Sequence, residues 1–275
     1  MTNAEIASAL AQVAELLDQA GASGEQVRAY QAAASTIRRL QRPVRQVVAE
    51  EGEAGLKRLE HVTDRMAEAI QELVASGRLQ HLDELRAEVE PEEVLDAIRG
   101  IGNALARQIE RELGIVTVEE LARAAADGRL VRLRGIGPAR AARIAPALAE
   151  RMARRPSSVL APPAPVAELL GVDQEYRQRA AAGELHRIAP RRYNPKRDAW
   201  VPVLHCERDG RRYTALFANT HLAHTLGHTK DGVILYYQDA EGRVGQAMVV
   251  TERQGDLAGR RVVRGREGEL IRESS

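Results

Sequence analysis

The chain has 275 residues, a net charge of +1, 3% aromatics and one cysteine. That length permits more than one core, near-neutrality argues against a blanket nucleic-acid coat, and the lone Cys206 excludes an intramolecular disulfide and suits a reducing compartment. No apolar run approaches the ~20 residues needed to span a bilayer. The start, Met1-Thr2-Asn3-Ala4-Glu5-Ile6-Ala7, lacks the basic opening and continuous apolar stretch of a signal peptide. The expectation is a soluble cytoplasmic protein with no membrane partner.

Residues 1–90 read as helices. Ile6, Leu10, Val13, Leu16 and Leu17 share one face between Asn3 and Ala20, and Gly21 is placed to end that helix. A second helix is expected from about Glu25 to Leu40. A third runs from Pro43, which suits a first helical position, to about Glu50. The phrase Val27-Arg28-Ala29-Tyr30-Gln31-Ala32-Ala33-Ala34 is alanine-packed, with Arg28, Arg38 and Arg39 on its surface. Gly77 closes a helix over 64–75, and a short helix over 82–89 precedes Pro91.

Between Leu95 and Ile144 one pattern occurs twice, 35 residues apart. Leu95, Ile98, Gly100, Ile101, Gly102, Ala106 and Ile109 are matched by Leu130, Leu133, Gly135, Ile136, Gly137, Ala141 and Ile144. Each copy places Gly-Ile-Gly in a tight turn between two short helices, with the isoleucine pointing inward to pin the turn. Glycine accepts positive φ and lets a ligand approach bare backbone N–H groups. Those groups open the second helix, where they lack intrahelical partners and the dipole favours an anion, so phosphate is the natural occupant. Arg99, Arg107 and Arg111 flank the first turn and Arg134, Arg140 and Arg143 the second. The charge distribution agrees: residues 51–98 hold 13 acids and 5 bases, residues 99–155 hold 6 acids and 12 bases. Thr117-Val118-Glu119-Glu120 reads as a capping box for a helix ending near Asp127-Gly128, and the helix from Ala139 runs to about Met152 with a kink at Pro146.

Both copies resemble helix-hairpin-helix motifs, which bind the DNA backbone without reading bases. Residues 1–90 resemble the small N-terminal domain of the family X DNA polymerases, including its Arg-Ala-Tyr-x-x-Ala-Ala phrase at 28–34, and the resemblance continues to about residue 150. It implies a further hairpin framed by Leu56, Leu59, Val62, Ala67 and Ile70. There His61 and Thr63 replace the family's glycines, and Glu60, Asp64, Glu68 and Glu72 surround the turn, so its fold is expected to persist with a weakened hold on phosphate. The position of the family's Schiff-base lysine is Ala69, which has no amine, and the nearest lysine is Lys57. The resemblance also implies a monovalent cation on the hairpin turn carbonyls, and Arg28 and Tyr30 facing a gap or a 5′ end. No two aspartates stand two apart, so the metal-binding pair of the polymerase palm is missing, which argues against polymerase activity.

Residues 156–165, with Pro156, Pro162, Pro163 and Pro165, read as a semi-stiff linker. Beyond it, residues 166–182 are helical up to Gly183. β-Prone runs at 200–207 and 211–217 join through Arg208-Asp209-Gly210, a short helix covers 220–226, and a second hairpin pairs 232–238 with 244–251. Arg261-Val262-Val263 adds a fifth strand. This domain resembles a C-terminal module of bacterial helix-hairpin-helix proteins that lack the polymerase core. The expected architecture is therefore multidomain: a helical domain over 1–90, a tandem helix-hairpin-helix domain over 91–155, the linker, and an α+β domain with an antiparallel sheet over 166–275.

Three features of the last domain invite chemistry. Residues 186–200 interleave bases with aromatics and prolines, which suits backbone contact with stacking on an unpaired base, or a solvated loop. His221, His224 and His228, with His205 and Cys206, form a weak metal pattern. Cys206 beside a histidine suggests a thiol nucleophile, or more simply a small core residue. The leading expectation is a non-catalytic, sequence-independent DNA-binding protein in repair or in gap and end recognition. Its contact set is Gly100, Ile101, Gly102, Asn103, Ala104, Arg107, Gly135, Ile136, Gly137, Ala139, Arg140 and Arg143, with Arg28 and Tyr30. The alternatives are an abasic-site lyase or nuclease using the C-terminal domain, and a scaffold whose acidic surface at 51–98 binds a repair protein.

Overall fold

The computed structural model describes residues 1–88, 101–115, 118–153, 161–220, 223–224, 227–253 and 255–273. The described residues divide into two compact units, one of residues 1–86 with 240–243 and one of the remainder. Among the described residues no helix is long and apolar enough to cross a membrane.

The first unit is helical: α1 (Asn3–Gln19), α2 (Gly24–Arg39), α3 (Val44–Lys57), α4 (Asp64–Ser76) and α5 (Gln80–Ala87). Thr2 and Glu5 form a capping box at the start of α1. The apolar stripe read from the sequence is its buried face, with Ile6, Leu10 and Val13 fully buried. α3 extends past the expected end at Glu50 because Gly52, at φ 59° and ψ −148°, bends the chain and a second helical stretch resumes beyond it. Arg42 and Arg58 both pair with Glu51 across that bend.

The second unit begins with the hairpin helices α6 (Asn103–Leu113), α7 (Val118–Ala126) and α8 (Pro138–Ala153), with a 3-10 turn at Leu130–Arg132. Ile101, Ile109, Ile115, Leu121, Leu130, Leu133, Ile136, Ile144 and Leu148 make their common core. The expected capping residue Thr117 lies outside the described residues.

Next come α9 (Val166–Ala182) and six strands, β1 (His186–Ile188), β2 (Val201–Arg208), β3 (Arg211–Phe217), β4 (Val233–Gln238), β5 (Val244–Thr251) and β6 (Arg261–Val263), then α10 (Glu267–Glu273). The strands form one antiparallel sheet in chain order. The β2–β3 turn uses Asp209 and Gly210 at φ 47° and 74°, the left-handed pair that a two-residue hairpin requires. The chain is thus multidomain, a helical region followed by an α+β domain with an antiparallel sheet. β1 is an addition to the expected five strands, placed where a basic loop was read. Of the helix expected over 220–226, Ala223 and His224 are helical and 221–222 and 225–226 lie outside the described residues. Of the expected linker, Ala161 and Ala164 are buried in the sheet core, and the Ala161 N–H bonds the Val244 carbonyl at 2.8 Å.

α9 lies on one face of the sheet, where Val166, Leu169, Val172 and Tyr176 meet Leu204, Tyr213, Ala215, Phe217 and Leu235. The other face buries Ile188, Val201, Val203, Leu216 and Ile234. Because both faces are covered, β4 reads as an unbroken apolar run rather than an alternation. Pro202 is the second residue of β2, and the Tyr176 hydroxyl compensates near it: it donates to the Pro202 carbonyl at 2.9 Å and accepts from the Phe217 N–H at 2.9 Å. Tyr176 thereby completes the ladder where the strands part. Asp173, 1% exposed, receives Arg261 at 3.0 and 2.6 Å, which ties α9 to β6.

Tyr176→Phe keeps the ring but leaves two buried backbone groups unpaired, so the second unit should lose about 2 kcal/mol or more. Urea unfolding followed through Trp200, the single tryptophan, reads this, and an unchanged midpoint would rule out the bridge. Burial works against the charged form of Asp231, yet the Thr251 hydroxyl and Arg261 hold its carboxyl below the usual range. Hydrogen bonding from Arg208 does the same for Glu175. Both contributions are present above the unfolded carboxylate values of about 4 and are lost as pH falls through the lowered native ones. Acid titration by Trp200 fluorescence should therefore show this unit weakening progressively below about pH 4, with Asp231→Asn flattening the dependence.

Candidate nucleic-acid interface

In the hairpin before α8, the Leu133 N–H bonds the Leu130 carbonyl at 3.2 Å, Ile136 bonds Leu133 at 3.1 Å, and Ala141 bonds Gly137 at 3.1 Å. The hairpin between α3 and α4 repeats the pattern: Leu59 to Leu56 at 3.0 Å, Val62 to Leu59 at 3.2 Å, and Ala67 to Thr63 at 2.8 Å. Before α6, the Ala106 N–H meets the Gly102 carbonyl at 2.9 Å. Ile101 and Ile136 are each 3% exposed, the inward pins expected of them, and Val62 takes that place in the first hairpin at 8%. Gly100 and Arg99 lie outside the described residues.

The two glycines of the turn before α8 have different physical reasons. Gly135 stands at φ +86°, where a side chain is strained. Gly137 has no positive φ, and a Cβ built on it would meet nothing within 4 Å. Gly102, at φ −106° and ψ 168°, has an extended conformation open to any residue. Neither backbone nor internal packing requires glycine at 137, and its Cα is exposed. The first helical bonds of α8 run from Arg140 and Ala141 to the Gly137 carbonyl, so the Gly137 and Ala139 N–H groups precede the ladder and face outward at the positive end of the dipole. Pro138 offers no N–H. At α6 the corresponding amides belong to Gly102, Asn103 and Ala104, and Ala104 is exposed.

Cationic side chains ring these turns. Arg107, Arg111, Arg134 and Arg143 are exposed, and Arg111 pairs with Glu112 at 3.5 Å. Arg140 reaches the Gly135 carbonyl at 3.4 Å, and the Gln108 amide donates to the Arg134 carbonyl at 3.1 Å, joining α6 to the other turn. The spacing carried no signal for either contact. These two contacts engage the Gly135 and Arg134 carbonyls from within the protein.

In the first unit, Arg28 is exposed on α2, whereas Tyr30 is 3% exposed. The Tyr30 ring fills the helical core and cannot face a gap or a 5′ end. The α3–α4 hairpin keeps the backbone of the one before α8 without its glycines: His61 occupies the left-handed position at φ 63° and Thr63 the position of Gly137. Ala69 is 8% exposed. Hydrogen bonds to Glu53 and Asp64 hold the Lys57 ammonium above the usual lysine range, the opposite of what a Schiff-base nucleophile needs.

In the sheet, His205 pairs with Thr214 at 3.2 Å, and between β3 and β4 His224 pairs with Asn219 at 2.7 Å. Among the described residues no group of three His, Cys, Asp or Glu is placed to hold a metal; His221 lies outside them, and Cys206 and His228 join no such group. Burial pushes the Cys206 thiol up to about 11, which suits a core residue rather than a nucleophile. A cavity of about 290 Å³ is lined by Arg123, Arg129, Arg264 and Arg266. Each of these guanidiniums is matched within the protein, to the Ala161 carbonyl, Asp127, Glu252 and Glu269 respectively.

Residues 1–79 match the model of a helix-hairpin-helix domain. Residues 92–150 match that of a SAM-like helix-hairpin-helix tandem. No curated protein matches the chain. The two matches fall on the hairpins described above and support a helix-hairpin-helix, DNA-binding region over the first 150 residues.

Proposed function

We propose that this protein binds DNA through the sugar-phosphate backbone without reading sequence, in repair or at gaps and ends, and does no chemistry on it. The amides opening α6 and α8, beside Gly102 and Gly137, hold phosphates. Exposed Arg107, Arg134 and Arg143 supply the surrounding field. The observation that carries this reading is Gly137: it has no positive φ and a Cβ built there would meet nothing within 4 Å, so a partner from outside accounts for glycine there. The non-catalytic reading is supported by Ala69 at the lysine position and by the doubly paired Lys57. Borohydride trapping on abasic DNA is expected to give no adduct.

Binding measured by anisotropy on gapped, nicked, blunt and single-stranded DNA should weaken with salt, with a log–log slope of about −0.9 per phosphate engaged on duplex. A slope near zero would sink the proposal. Gly102→Val with Gly137→Val should weaken all duplex sequences about equally, by roughly 10-fold or more, since only backbone hydrogen bonds are lost. Stability should change by less than about 0.5 kcal/mol for Gly137→Val. Gly135→Ala is the converse control: forcing a side chain to positive φ should cost about 1 kcal/mol of stability. A Gly137→Val protein that binds as well as the original would refute the role given to this turn.

A further inference from the structure

Of the six tyrosines in the chain, five are buried to 9% exposure or less, whereas Tyr193 is 42% exposed. Its ring is nevertheless fixed from behind. The His224 ring lies 4.6 Å away by centroid at a tilt of 35°, and the edge of Trp200 meets His224 at 6.0 Å. His224 is in turn oriented by Asn219, itself 3% exposed, at 2.7 Å.

The loop carrying Tyr193 is closed by one buried side chain. Asn194, 6% exposed, donates to the carbonyls of Pro190 at 2.9 Å and Asp198 at 2.8 Å and accepts from the Asp198 N–H at 3.0 Å. On either side of it, Tyr193 and Arg197 hold φ of 54° and 57°, a region that non-glycine residues rarely enter. The loop is thus built to one shape rather than left slack. Residues 186–200 contain five bases, Arg187, Arg191, Arg192, Lys196 and Arg197, against the single acid Asp198. Arg191 is held by Glu88 at 3.9 Å, while Arg187, Lys196 and Arg197 are exposed.

We propose that this loop is a stacking platform for an unpaired DNA base, which lies on the open part of the Tyr193 ring while the surrounding bases contact the flanking phosphates. A fixed aromatic face with cations around it is what a single strand needs, because every base has a π-face and every link carries a charge. The inference deepens the DNA-binding reading by adding a strand-specific contact, but it uses none of the hairpin residues, so the two can fail separately.

The test uses the full chain with a single-stranded oligonucleotide and a blunt duplex of the same base composition. Binding of the single strand should quench Trp200 fluorescence. Tyr193→Ala should weaken the single strand by about 10-fold and leave the duplex unchanged, while Tyr193→Phe keeps both. Tyr193→Gly, which relieves the left-handed backbone, separates loss of the ring from loss of the fold: it should match the alanine variant in binding and retain the thermal transition. Unchanged single-strand affinity in Tyr193→Ala overturns the proposal. So does a loss confined to Lys196→Glu and Arg197→Glu, which would leave only a basic loop. Single-strand binding without duplex binding would sustain this inference and defeat the hairpin reading, and the reverse pattern would do the opposite.

Discussion

An amide at the start of an α-helix has no carbonyl of its own to bond, and water, a side chain or a ligand must supply one. Residues 101–148 are arranged around that constraint. The buried isoleucines at 101 and 136 hold each turn against the shared core, so the amides that follow point away from it. Apolar packing is spent on aiming backbone, and the arginines lie around the rim. Under the proposed function such a surface would be indifferent to base identity, since an amide and a guanidinium on a phosphate carry no sequence information.

Periodicity exposed much of this. The apolar frame of the second repeat and the part of the first from Ile101 to Ile109, the buried stripe of α1, and the left-handed caps Gly77 and Gly183 were all legible, because each depends on neighbours within a few residues; Leu95 and Ile98 lie outside the described residues. What stayed hidden depends on distant partners or on short elements. β1 has three residues between basic and proline-rich stretches, and it is a strand only because Val201–Val203 pairs with it. The Arg140 contact with the Gly135 carbonyl and the Gln108 link between turns have no periodic signature. Tyr30 is a different case: Val27, Tyr30, Ala34 and Ile37 share one helical face, and that spacing already placed the ring inside. The family resemblance pulled it outward, and the packing decides against it.

The three hairpins together separate what glycine does for the fold from what it does for a ligand. The hairpins before α4 and α8 share one ladder of turn bonds, so the fold survives without glycine: at the first hairpin His61 takes the left-handed position at a cost of order 1 kcal/mol, offset by a core in which Leu56, Ala67 and Ile70 are fully buried. What changes is the surface. At that turn Thr63 adds a side chain beside the opening amides, and Glu60, Asp64 and Glu68 are exposed, so a phosphate would meet bulk and repulsion where α8 offers bare backbone. If the glycines of the later hairpins served only folding, the first hairpin shows that ordinary residues would suffice. At Gly137 no positive φ and no neighbouring atom calls for glycine, and at Gly102 the backbone is extended, so the proposed phosphate contact supplies the reason that folding does not.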